Sequence, residues 1–275
     1  MNTHPQRVAF EAREMAQTLI TIRDAQKTYH SERGDIAALR DINLEVAAGE
    51  FVSILGPSGC GKSTLLKCIG GLHPLTGGAI EIAGRPVLEP PEDTGFVFQR
   101  DVLLDWRTVV DNVLLPAEFQ RLPRAKWEPR ALELLVTLGL EGFGSRYPWE
   151  LSGGMRQRVA ICRSLLLDPG LLLMDEPFGA LDAITRDELN MELERIWDRS
   201  KKTVLFVTHS ISEAIFLSDR VVVMDKNPGR IAAIVEIDLP RPRSLAIRET
   251  PEFVRYGKEL RSIFENLGIM KRSAG

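Results

Sequence analysis

The chain has 275 residues, 44% of them hydrophobic, enough for one large domain with a substantial core or a domain carrying a subdomain. A formal net charge of -3 excludes the global basic field of a nucleic-acid binder, so no nucleic-acid partner is expected. The longest apolar runs fall far short of the ~20 residues a membrane span needs, the first twenty residues lack the apolar core of a signal peptide, and three cysteines (Cys60, Cys68, Cys162) form neither a metal spacing nor a disulfide framework. A reduced cytosolic setting follows, in which a membrane enters only through a partner.

In chain order, residues 1–18 read as a lead-in. Leu19–Ile22 and Ile42–Val46 alternate as strands, and Phe51–Leu55 is a β-rich run that enters a glycine loop. Lys62–Ile69 reads as a helix, and Ile80–Ile82 and Phe96–Phe98 as short strands. From about residue 100 to 167 the pattern turns helical, with one stripe at Leu132, Leu135 and Leu138 and another at Met155, Val159, Cys162 and Leu166. Strand character returns at Leu171–Met174. A helix with Leu189, Leu193, Ile196 and Trp197 on one face follows, then strands at Thr203–Val207, Arg220–Val223 and Ile231–Ile237, the last after an Asn227-Pro228-Gly229 turn. Residues 241–275 form a tail with a helical pattern (Phe253, Leu260, Ile263, Phe264, Leu267), expected to pack on the domain. Strands alternating with helices predict an α/β fold with a largely parallel sheet, interrupted by a helical block.

The loop Gly56-Pro57-Ser58-Gly59-Cys60-Gly61-Lys62-Ser63-Thr64 is a complete phosphate-binding loop between a strand and a helix. Its glycines let backbone N–H groups wrap phosphates, and the helix N-terminus adds a favourable dipole. Lys62 is expected on the β- and γ-phosphates of ATP, Ser63 on Mg²⁺, and Thr64 towards the α-phosphate. The apolar strand Leu171–Met174 ends in Asp175, placed to hold Mg²⁺, and Glu176, placed to polarise the attacking water. Ser152-Gly153-Gly154 opens a helix with an N-cap serine and bare N–H groups, a second anion site. One ATP needs no second cradle within one chain. Cys60, inside the loop, predicts that thiol alkylation blocks ATP binding.

A phosphate loop followed by Leu151-Ser152-Gly153-Gly154-Met155-Arg156-Gln157-Arg158 resembles the ATP-binding cassette (ABC) ATPase family over residues 20–240. That resemblance implies a P-loop fold with a mostly parallel core sheet, an antiparallel β subdomain and a helical subdomain at about 100–167, within a domain spanning 19–240. It implies a homodimer in which Ser152, Gly153 and Gly154 press on the γ-phosphate of ATP held by the other copy. Gln99 resembles the glutamine that senses Mg²⁺ and the attacking water. Gly179-Ala180-Leu181-Asp182 resembles the loop that crosses the dimer interface, with Asp182 near the nucleotide. His209 resembles the histidine that contacts the γ-phosphate, and Tyr29 the aromatic that stacks on adenine.

Asp101–Val113, with Trp106, looks like the nitrate, sulfonate and taurine branch of importer ATPases, where a membrane subunit docks. The resemblance thus implies an ATPase subunit of an importer, peripheral on the cytoplasmic face of the cell membrane, partnered by an integral permease and indirectly by a solute-binding protein. Two other classes share parts of the pattern: ABC ATPases with no transport role, and small-molecule kinases that have only the phosphate loop.

Overall fold

The computed structural model describes residues 17–32, 34–179 and 181–270. The expected lead-in up to residue 16, Ala180 and the last five residues of the tail lie outside the described residues.

Two sheets organise the chain. A four-stranded antiparallel sheet contains β1 (Thr18–Tyr29), β2 (Ile36–Ala47), β4 (Gly77–Ile82) and β5 (Arg85–Pro86), in the order β2-β1-β4-β5. A six-stranded sheet runs β10-β9-β3-β8-β7-β6, built from β3 (Phe51–Leu55), β6 (Thr94–Val97), β7 (Leu171–Asp175), β8 (Thr203–Thr208), β9 (Arg220–Asp225) and β10 (Arg230–Glu236). Its strands pair in parallel from β6 to β9, and β10 joins antiparallel at the edge. The core sheet is therefore mostly parallel, as expected.

The apolar runs of β3, β7 and β8 are continuous because both faces of this sheet are covered. Side chains alternate between the faces. Val52, Ile54, Leu171, Leu173, Leu205 and Val207 join one core with α1 (Lys62–Ile69) and the antiparallel sheet. Phe51, Leu55, Leu172, Met174, Val204 and Phe206 join a second core with the remaining helices.

That second core takes in α2 (Val109–Phe119), α3 (Arg124–Thr137) and α4 (Gly153–Leu165), which form the helical block between β6 and β7. On α3 the buried face is Ala131, Leu134 and Leu135, continuing to Leu138, while Leu132 is exposed. The expected stripe drifts off the face because strict three-residue steps lag a 3.6-residue period. The core is completed by α5 (Ala183–Ser200), α6 (Ile211–Leu217) and α7 (Pro251–Asn266). The tail helix α7 buries Phe253, Tyr256, Leu260 and Phe264, and Asp238 N donates to the Tyr256 hydroxyl at 3.0 Å. Parallel strands that end together place Leu55, Asp175 and Thr208 on one sheet edge, where the loops carrying chemistry emerge.

Candidate active site

The phosphate loop leaves β3 and enters α1 through Gly61, whose backbone is left-handed (φ 97°). A Cβ there would lie 2.8 Å from the Ala38 carbonyl and from Leu39, so only glycine fits. Lys62 is buried, 4% exposed, and its ammonium donates to the carbonyls of Gly56 at 2.9 Å and Pro57 at 3.1 Å. It stands 3.6 Å from Glu176. A cleft of about 420 Å³ opens above, lined at one end by Ser58, Gly59, Gly61, Lys62, Ser63, Thr64, Gln99 and Glu176. Tyr29, Ile36, Ala37, Ala38, Asn227 and Gly229 complete its lining, with Ala38 and Gly229 set against the phosphate loop.

At the phosphate end, Ser63 Oγ donates to Asp175 Oδ1 at 2.7 Å. Asp175 is 3% exposed, and burial pushes its carboxyl above the usual range while the Ser63 hydroxyl and nearby lysines pull it down. A cation here would offset the desolvation of that carboxylate. Serine and aspartate oxygens are hard donors, and among the described residues no cluster of three or more His, Cys, Asp or Glu forms a metal cage. This donor set fits Mg²⁺, which takes one or two protein oxygens and fills its shell with phosphates and water.

Glu176 is the centre of the polar group. Its backbone is left-handed (φ 45°), a conformation rare for glutamate and held by a hydrogen bond from its N–H to the Val207 carbonyl at 3.0 Å. Gln99 Nε2 donates to Glu176 Oε2 at 3.4 Å, and His209 Nδ1 stands 3.4 Å from the same oxygen. The ends of β3, β6, β7 and β8 thus bring Lys62, Gln99, Asp175, Glu176 and His209 around one point. The arrangement can bind a triphosphate, hold a cation and orient water against the terminal phosphate.

Not every expected nucleotide contact lines the cleft. Gly56 and Pro57 lie behind it and hold Lys62. Cys60 is buried, with its thiol packed against Gly56, and burial raises its pKa. Burial and a raised pKa both disfavour the reactive thiolate, so the structure argues against the expected alkylation sensitivity. Ser152, Gly153, Gly154 and Asp182 also lie outside the cleft. Ser152 caps α4 by accepting from Met155 N at 3.2 Å, with Ser152 and Gly153 exposed. Asp182 caps α5, accepting from Ile184 N at 3.1 Å and Thr185 N at 3.0 Å. Those amides, Thr185 first, hold its carboxyl below the usual range.

Tyr29 donates or accepts through its hydroxyl with His73 Nδ1 at 2.8 Å, which fixes the ring at the rim. The lining residues the sequence did not flag as part of the site are Ile36, Ala37, Ala38, Asn227 and Gly229. Gly229 N donates to the Ala38 carbonyl and Arg40 N to the Gly229 carbonyl, each at 3.0 Å, bringing the turn against the back of the phosphate loop. Asn227-Pro228-Gly229 signalled a turn; its place follows from β9 pairing with β3, a long-range contact.

Comparison with known proteins agrees with this geometry. A family described as ABC transporter matches residues 39–179. This chain belongs to the ABC transporter ATPase family. An ABC transporter ATP-binding protein of Methanocaldococcus jannaschii is 46% identical over 254 residues, covering 92% of this chain and 94% of that protein. The taurine import ATP-binding protein TauB of Rhizobium johnstonii is 45% identical over 244 residues, covering 87% and 93%. The aliphatic sulfonates import ATP-binding protein SsuB of Bacillus cereus is 42% identical over 254 residues, covering 92% and 99%. Among solved structures, the dimeric post-hydrolysis state of the ATP-binding cassette MJ0796 with ADP and Pi matches with a TM-score of 0.73 and 34% identity, covering 81% of this chain and all of that one. As a member of the ABC family, this chain binds ATP and is an ATPase.

Proposed function

We propose that this ABC ATPase is the motor subunit of an importer. It works as a homodimer around two ATPs and drives uptake of a small solute of the nitrate, sulfonate or taurine type through a separate integral permease. A solute-binding protein delivers that solute to the permease. In this reading the chain is peripheral, on the cytoplasmic face of the cell membrane. Among the described residues no helix is long and apolar enough to cross a membrane.

The observation that carries the dimer is the split site. Lys62 and Glu176 line the cleft, with Asp175 and His209 joined to it through Ser63 and Glu176, while Ser152, Gly153 and Gly154 open a helix outside that lining. A head-to-tail pairing of two copies satisfies both faces at once, and a two-fold axis makes two equal sites. The dimeric cassette structures support it.

In the cycle, Lys62 and the loop amides hold the β- and γ-phosphates, and Tyr29 stacks on adenine. Ser63 and Asp175 would hold Mg²⁺, with Gln99 beside it, and the ion would supply charge neutralisation to the phosphates. Glu176 takes a proton from the attacking water; Gln99 and His209 orient its carboxylate and the γ-phosphate. The partner's Ser152, Gly153 and Gly154 close on that phosphate, with Asp182 bracing the loop beside it. Hydrolysis removes the group both copies share, and the dimer opens. The free-energy difference between closed and open states does the work.

The permease docks beside Gln99. A groove of about 400 Å³ lies there between β6 and α2, lined by Phe96, Phe98, Val102, Leu115 and Phe119. Phe119 is 80% exposed, and exposed aromatics at a groove favour an interface. Trp106, 73% exposed, lines a separate concavity of about 450 Å³ with Arg107, Leu114 and Tyr147, so the expected docking segment serves two surfaces. Buried Asn112 pins that segment through Leu104, Arg107 and Thr108 carbonyls.

Purification from gently solubilised host membranes, with mass spectrometry of what accompanies the chain, tests the importer reading. It predicts an integral permease. Recovery only as a soluble dimer, under conditions that keep a control transporter intact, would contradict it.

A further inference from the structure

Two loops leave the catalytic cleft, one after Glu176 and one after β8, and an ion pair of a buried Glu213 and a partly exposed Arg186 joins them outside it. Glu213, in the first turn of α6, is 5% exposed and accepts from the hydroxyl of Thr208, the residue before His209. Thr208 Oγ1 accepts in turn from Ser210 N at 3.0 Å, so this hydroxyl is held from both sides of His209. Facing Glu213 across the gap is Arg186 of α5, its Nε 3.4 Å from Glu213 Oε1. The same guanidinium donates through Nη2 to the Leu181 carbonyl at 3.0 Å.

Leu181 belongs to the Gly179–Asp182 loop, and it touches the other anion site. A Cβ built on Gly154 would meet the Thr185 methyl at 3.0 Å and Leu181 Cδ2 at 3.6 Å. A contiguous path therefore runs from Gly154 through Leu181 and Thr185 to Arg186, then Glu213, Thr208 and His209. One end lies on the face that reaches the partner's ATP, and the other beside Glu176 in this chain's own cleft.

Packing alone does not require the Glu213 charge, since burying a carboxylate brings a desolvation cost that an apolar residue of similar volume avoids. What arginine supplies is a rigid guanidinium that keeps one nitrogen on the Leu181 carbonyl while another stands 3.4 Å from Glu213 as an ion pair without a hydrogen bond; a lysine of equal charge has one nitrogen for both tasks.

We propose that Arg186 and Glu213 are positioning residues that couple the Gly154–Leu181 face to His209, so that ATP bound by the partner sets the imidazole in this chain's site. The proposal rests on the dimer reading above.

The test is steady-state ATP hydrolysis by the full chain with Glu213→Gln, Arg186→Lys and the double variant, with a melting temperature for each. Gln keeps a hydrogen bond to Thr208 and loses the charge; Lys keeps the charge and has one nitrogen where the guanidinium has two. The expected result is a kcat lowered ~10-fold in each single variant, KM for ATP within about twofold, and a Hill coefficient falling towards one. The double variant falls no further than the singles, because both break the same path. Arg186→Lys with unchanged kcat and Hill coefficient would overturn the proposal, as charge balance alone would then suffice. A loss that falls on KM would overturn it too. Should Glu213→Gln unfold, Thr208→Val breaks the same path and carries the same expectation.

Light scattering separates the two readings. With Glu176→Gln in the background, Glu213→Gln is expected to leave the ATP-dependent dimer intact. A dimer together with normal turnover of the Glu213→Gln single variant overturns the coupling alone. No dimer in Glu176→Gln itself overturns the dimer reading and the coupling with it.

Discussion

Glu176 and Lys62 carry opposite duties at one point 3.6 Å apart. In the proposed cycle, replacing the carboxylate removes the base but leaves the phosphate cradle, and replacing the ammonium removes the cradle. Glu176→Gln is expected to lower phosphate release ~10²–10⁴-fold while retaining ATP binding, whereas Lys62→Ala loses binding or turnover. Normal turnover in either variant would refute that residue's role. Asp175 gives a pH signature. Burial raises its folded pKa above the unfolded value, so the folded state binds the proton more tightly, and Asp175 makes stability decline as pH rises from acid through that window. Asp175→Asn is therefore expected to raise the nucleotide-free melting temperature at neutral pH, with the gain shrinking on acidification, and to abolish the extra stabilisation by ATP with Mg²⁺. A lower neutral melting temperature would contradict this. The residue types and their spacing were legible in the sequence; their protonation was not, because it depends on neighbours such as Ser63, 112 positions away.

At the scale of elements, strands were read where apolar runs are short and uninterrupted. Phe51–Leu55 and Lys62–Ile69 fall where the sequence places them. Strand β1 extends to Tyr29, well past the alternating Leu19–Ile22, because pairing with β2 and β4 supplies hydrogen bonds to its polar residues. Turn Asn227-Pro228-Gly229 shows what pairing adds. A Cβ on Gly229 would sit 2.1 Å from the Cys60 carbonyl and 2.9 Å from that of Ala38. Gly229→Ala must displace the phosphate loop and is expected to cost about 1–3 kcal/mol, a fall of several degrees in melting temperature, with weaker ATP binding. Unchanged ATP affinity would show that the loop gives way freely. Arg243 does comparable work through hydrogen bonds from its guanidinium to backbone carbonyls. Buried and pushed down to about 10 by burial, it donates to the Ile215, Phe216, Ser218 and Leu239 carbonyls, capping the seven-residue α6. Arg243→Met leaves those acceptors unpaired and is expected to destabilise by ~3 kcal/mol, read by denaturant unfolding; a loss under ~0.5 kcal/mol, the scale of an ordinary surface substitution, would contradict the capping role.

At the scale of the molecule, the antiparallel sheet holds Tyr29, the parallel sheet holds the phosphate and catalytic groups, and the helical block presents Ser152, Gly153 and Gly154. The family was legible because the phosphate loop and the Leu151–Arg158 run appear in order. The division of labour between two copies was implied by the same resemblance; what only the fold shows is that Ser152, Gly153 and Gly154 stay outside the lining of this chain's own cleft. That division is the centre of the proposal, in which half of each site belongs to another copy. The most direct measurement is the mass of the Glu176→Gln protein by light scattering, with and without ATP and Mg²⁺. The account predicts the 30.7 kDa monomer mass without ATP, a doubling with it, and no doubling when Ser152→Arg is added. A mass that stays at the monomer value under saturating ATP, or a dimer indifferent to Ser152→Arg, would contradict it.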